Sequence, residues 1–131
     1  MDTSGWVAKA DQRDPHHGRV CAAEDRWLEG GGAILLSTDY VLDETLTLLR
    51  ARIGLAAAQR WWEDAAASPR IRWEWIDPSR AERARTWFFR WTDKEFSFTD
   101  CTSFAVMKEL RLKTALATDR HFRLAGFDCV P

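Results

Sequence analysis

A chain of 131 residues, 46% hydrophobic and 30% charged, is sized for one domain, residues 1–131, with a core of its own. Its 19 Lys and Arg against 20 Asp and Glu give a net charge of −1, which excludes a uniformly basic nucleic-acid binder and permits a local basic patch beside an acidic site. No apolar run approaches a membrane span, no signal peptide is visible, and Cys21, Cys101 and Cys129 are an odd number without metal-ligand spacing, so a reducing cytoplasm and no membrane association are expected.

Taken in chain order, Asp2 stands immediately before a short helical pattern at residues 6–10, where a strand is expected ahead of it and only Met1 is present. Asp14 and Pro15 open a second helix, residues 16–29, with Val20, Ala23, Trp27 and Leu28 at core spacing and Gly30, Gly31 and Gly32 at its end. His16 and His17 point in different directions with no third ligand nearby, so they are expected to face solvent rather than hold a metal. Residues 33–36 form a short apolar run suited to a buried parallel strand. Ser37 or Thr38 caps the next helix, residues 39–53, whose stripe is Val41, Leu42, Leu46, Leu48, Leu49 and Ile53. Glu44 and Asp43 lie just outside opposite edges of that stripe, and periodicity does not choose between them. Gly54 breaks the pattern before residues 55–67, where Trp61 and Trp62 are adjacent and cannot both be central to one core face.

Residues 71–76 read as a strand with Ile71, Trp73 and Trp75 on one face. Asp77 and Pro78 are a cap followed by a proline at the first helical position, opening residues 79–91, which turn Ala81, Ala84, Phe88 and Trp91 inward. The other sector of that helix holds Arg80, Arg83, Trp87 and Arg90, a pattern that could track a nucleic-acid backbone but is more often an ordinary solvated face. Ser97 and Asp100 make a capping box ahead of residues 101–110, on which Asp100, Ser103, Phe104 and Met107 share one side. Residues 114–118 suit a buried strand, Asp119 follows directly, residues 120–125 are helical, and residues 128–130 close the chain as a strand. This alternation predicts an α/β fold with a parallel sheet and helices on both faces.

In such folds ligands sit beyond the carboxyl ends of the strands. Asp2, Glu44, Asp100 and Asp119 each come from a helix start or a strand end, and Asp100 and Asp119, each taken alone, are explained as caps favoured by the helix dipole. Gathered to about 5 Å, each ionised pair would repel by roughly 3 kcal/mol at an effective dielectric of about 20. Such a cluster must protonate in part or bind a hard divalent cation, and oxygen-only ligands favour Mg²⁺ or Mn²⁺. The chemistry that follows is phosphodiester hydrolysis. No Walker lysine motif, paired CxxC or GxSxG elbow supports a competing mechanism.

The segments DTSGWVA, STDYVLDETLTLLR, FSFTDCTSF and ATDRHFRLAGF, in this order and covering nearly the whole chain, resemble a PIN domain of the VapC toxin type. The resemblance implies a three-layer α/β/α sandwich with a mostly parallel central sheet, and a magnesium- or manganese-dependent endoribonuclease acting on RNA. It also implies inhibition by a cognate VapB-type antitoxin and, frequently, a homodimer. The metal-binding and catalytic acids would be Asp2, Glu44, Asp100 and Asp119, which selects Glu44 over Asp43, with Ser4 and Thr118 as supporting hydroxyls. The family's first strand precedes the first aspartate at the sheet centre, and here only Met1 does. Either the reading frame starts several residues earlier or the sheet carries a local defect.

The rival expectation is a non-catalytic PIN-like module that binds RNA or a protein, with the acids as caps or as a dock for a basic partner. A phosphotransfer enzyme with Asp2 as nucleophile lacks a convincing lysine or second acid beside Asp2. An antitoxin tail would lay an apolar helix on exposed Trp and send an Arg or Lys into the acidic site.

Overall fold

Four helix starts are fixed by the side chains the sequence nominates. The computed structural model describes residues 1–31 and 34–131. Its elements are α1 (Thr3–Ala10), α2 (His17–Glu29), β1 (Leu35–Thr38), α3 (Asp39–Ile53), α4 (Leu55–Ala67), β2 (Ile71–Glu74), α5 (Pro78–Arg90), α6 (Phe98–Glu109), β3 (Thr114–Leu116), α7 (His121–Leu124) and β4 (Asp128–Val130). Asp2, Thr38 and Asp77 accept the first-turn amides of Ser4, Val41 and Arg80, and Ser97 and Asp100 form a reciprocal capping box. Each such cap satisfies an otherwise orphaned donor, worth about 1 kcal/mol.

Every strand pair is parallel: β1 pairs β2 with Leu35 opposite Ile71, and β3 pairs β4 with Thr114 opposite Asp128. Among the described residues β1 and β3 do not pair with each other. The entering chain bridges them instead. The Met1 amino group donates to the Leu36 carbonyl, and the Asp2 amide donates to the Leu116 carbonyl at 3.0 Å. These two hydrogen bonds set Asp2 between β1 and β3.

Each strand pair has its own core. One packs Phe96, Phe104, Phe122 and Phe127 with Ala84, Cys101 and Met107. The other packs Trp6 and Trp61 with Val41, Leu49 and Leu35, and half-buried Trp73 lies against it. Trp6 meets Trp61 edge-on at 5.6 Å, and its indole donates to the Ser37 hydroxyl at 2.8 Å. Such aromatic pairs add about 1 kcal/mol beyond their area. Trp61 is buried and Trp62 exposed, as the 55–67 pattern requires.

Several expectations need correction. The strand expected at residues 33–36 runs Leu35–Thr38, with Ala33 outside the described residues, because pairing with Ile71–Glu74 rather than apolarity sets its register. The strand expected to reach residue 76 ends at Glu74, leaving Trp75 exposed. On α5, Phe88 is exposed and half-buried Trp87 turns inward, its ring 5.7 Å from Phe104. His16 and His17 are only partly exposed, and His17 Nδ1 lies 3.0 Å from the Ala8 carbonyl oxygen, fastening α2 to α1. Helix α6 is buried at every position from Asp100 to Met107. Its apolar side is therefore no guide to orientation.

Helix α1 approaches β3 so closely that Gly5 is required. A Cβ there would lie 2.8 Å from the Leu116 carbonyl oxygen and 3.3 Å from Met1 Cγ. Gly5→Ala is expected to destabilise the fold by roughly 1–3 kcal/mol, as overpacking against backbone does. Urea unfolding measures this, and an unchanged midpoint would contradict the close approach.

Candidate metal centre

Asp100 enters the site because its capping role buries it. Its Oδ2 accepts the Ser97 amide at 2.8 Å, which pins the carboxylate over the first turn of α6 and leaves the residue 5% exposed. The same oxygen lies 2.8 Å from His121 Nδ1. Asp119 stands beyond the carboxyl end of β3, where its Oδ1 accepts the His121 amide at 2.9 Å. That local turn brings the imidazole back toward Asp100. Ligand atoms of Asp100, Asp119 and His121 all lie within 4.8 Å of one another.

Asp2 is held by its neighbour. Its Oδ2 accepts both the amide of Ser4, at 3.0 Å, and the hydroxyl, at 2.8 Å. The Ser4 hydroxyl in turn accepts the Thr118 amide at 3.0 Å, tying α1 to the segment that carries Asp119. Ser4 thus has the supporting contact expected of it, whereas Thr118 contributes its backbone. Glu44 projects from α3, and its Oε2 accepts the Thr3 hydroxyl at 2.6 Å. Asp43 is exposed and does not line the cavity that Glu44 lines.

All four acids line one open cavity of about 320 Å³, together with Ser97, Thr118, Asp14 and His121. Arg52 is its one Arg or Lys among the described residues. Asp2, Glu44, Asp100 and Asp119 share a pattern: one carboxylate oxygen of each is engaged by the protein, and the other accepts no hydrogen bond among the described residues. Capping and ligation are therefore compatible here, because a cap occupies only one of two oxygens.

The electrostatics match. Burial pushes the Asp2 carboxyl up to about 6, the charges of Asp119 and Asp100 add to the rise, and the Ser4 hydrogen bonds oppose it. Asp100 is also raised, by burial first, against the Ser97 amide and His121. A group of carboxylates that resists ionisation when bare is one that gains from a cation. The free oxygens, with one imidazole nitrogen, form a donor set that fits a divalent ion.

The sequence profile described as PIN domain matches residues 1–128. The chain belongs to the PIN-domain family. Within that family it is 37% identical over 131 positions to the 23S rRNA-specific endonuclease VapC20 of Mycobacterium tuberculosis, covering 97% of this chain and 93% of the relative. It is 31% identical over 125 positions to a VapC ribonuclease of Archaeoglobus fulgidus, covering 95% of this chain and 78% of that one. The crystal structure of Mycobacterium tuberculosis VapC20, described as a sarcin-ricin loop cleaving toxin, superposes with a TM-score of 0.85 at 34% identity over 96% of this chain and 93% of that one. The α/β fold with parallel strands is thereby that of a VapC-type PIN ribonuclease.

Sequence reasoning missed His121, which reaches Asp100 from 21 residues away, and Thr3, which orients Glu44 across 41. The only available signal for His121 was its place two residues after Asp119. The α5 sector read as a possible nucleic-acid track is engaged elsewhere. Arg80 pairs with Glu74 at 2.8 Å and Glu109 at 2.7 Å, and Arg83 pairs with Glu109, so these guanidiniums knit α5 to β2 and α6.

Proposed function

We propose that residues 1–131 form one domain that is a divalent-cation-dependent endoribonuclease, the toxin of a toxin–antitoxin pair, with Asp2, Glu44, Asp100 and Asp119 as its cation-holding and catalytic acids. The observation that carries this reading is the cavity they share, with one unengaged oxygen on each acid. Mg²⁺ or Mn²⁺ suits that donor set and supplies Lewis-acid activation of phosphodiester hydrolysis.

The chain's own residues do the positioning. Ser4 fixes Asp2 against the Thr118 segment, Thr3 fixes Glu44, and the Ser97 cap fixes Asp100. The substrate class we assign is a loop of 23S ribosomal RNA, on the strength of the relatives' similarity over nearly the full chain. A VapB-type antitoxin is the assigned partner, a homodimer the assigned assembly, and the cytoplasm the assigned compartment. Among the described residues, no helix is long and apolar enough to cross a membrane.

Metal removal tests this directly. Chelation with EDTA is expected to reduce cleavage of a 23S ribosomal RNA fragment to background, and added Mg²⁺ or Mn²⁺ to restore it. Cleavage persisting in the chelated, metal-free protein would overturn the assignment.

A further inference from the structure

The tight group at the centre contains a nitrogen donor as well as carboxylates. His121 Nδ1 lies 2.8 Å from Asp100 Oδ2, while the His121 amide holds Asp119 Oδ1 at 2.9 Å. Two donors bound side by side to one octahedral cation at about 2.1 Å are themselves about 3 Å apart. The imidazole nitrogen and the Asp100 carboxylate thus have about the separation of neighbouring ligands, and loss of the Nδ1 proton with a turn of the ring would aim its lone pair at a cation beside them instead of at Oδ2. The ring is also steered by packing, meeting Phe96 edge-on at 5.7 Å.

Resting on the cation-dependent reading above, we propose that His121 is itself a ligand, so that the centre is a mixed oxygen–nitrogen site selective for a first-row transition cation over Mg²⁺. Imidazole is a softer donor than carboxylate, and it favours transition ions over magnesium, which prefers oxygen throughout. An imidazole that only donated a hydrogen bond to Asp100 would orient that acid and leave an all-oxygen shell, with no such preference.

Mn²⁺ is the probe that separates these roles, because its unpaired electrons report directly bound nitrogen. The full chain is titrated with Mn²⁺, its spin-echo modulation is recorded, and Mg²⁺ is then used to compete. The same is done for His121→Gln and for protein grown with isotope-labelled histidine, which identifies the nitrogen as imidazole without altering the fold.

Strong nitrogen modulation that changes with the label and disappears in His121→Gln is expected, together with a fall of at least about tenfold in the preference for Mn²⁺ over Mg²⁺. Bound Mn²⁺ without nitrogen modulation would overturn the ligand role while leaving the cation-dependent reading intact. Nitrogen modulation that survives in His121→Gln would overturn it too, by assigning the signal to another histidine. Absence of Mn²⁺ binding in the folded native chain would overturn both readings.

Discussion

Asp100→Asn is expected to lower RNA cleavage by at least about a thousandfold, equivalent to roughly 4 kcal/mol of transition-state stabilisation. The amide has almost the shape of the carboxylate, and its oxygen can still accept the Ser97 amide that closes the first turn of α6. What it lacks is the second anionic oxygen facing the cavity and the charge that binds a cation. Because Asp100 is buried and its carboxyl is already raised by burial, removing the charge relieves a desolvation cost. The variant's thermal midpoint should accordingly match or exceed that of the native chain without metal. Cleavage rates and melting curves on the same preparations provide the check. Native-level cleavage in a folded variant would remove Asp100 from the mechanism, and loss of the fold would mean that its cap matters more than its charge.

The metal-free chain is expected to lose stability as pH rises from about 4 to about 6, with Asp2 as the main source. An acid whose folded value lies above its ordinary 3.8, here about 6, stays protonated in the folded chain while the unfolded chain ionises. Below the ordinary value both forms are protonated and the group costs nothing. Through the window folding is progressively penalised, and above about 6 the penalty is complete. A rise of about two units corresponds to a cost on the order of 3 kcal/mol. The buried Met1 amino group is lowered from 8.0 to about 6 and so changes its contribution only above this window. Urea unfolding at several pH values, with Asp2→Asn alongside, measures the effect, and the variant should flatten the slope. Saturating Mn²⁺ should offset the loss in the native chain, by mass action on the folded state alone. An equal slope in Asp2→Asn would show that another group is responsible.

The parts legible in the sequence were those fixed within a few residues. The bounds of α3 and α4 match their expected ranges because Thr38 caps one and Gly54 divides them. The Ser97 and Asp100 box is a local exchange of two hydrogen bonds, readable from spacing alone. Side-chain direction was harder wherever long-range contacts decide it. Periodicity could not separate Glu44 from Asp43, because the choice is made by Thr3, on a helix 41 residues upstream. Family resemblance alone selected Glu44 from the sequence. On α5 the Arg80 sector reads as solvent-facing until Glu109 arrives from the next helix to pair with it. His121 escaped notice because its partner is joined only when β3 delivers the turn at Asp119 to the mouth of α6.

The two cores give the centre a property that no single acid has. Glu44 rides with the tryptophan core, Asp100 and Asp119 with the phenylalanine core, and Asp2 sits between them, its amide bonded to β3 and the preceding amino group to β1. The site is thus a meeting point: its carboxylates converge from elements that pack on different cores. A cation held by acids of both cores would act as a clasp between them, adding its binding energy to their packing.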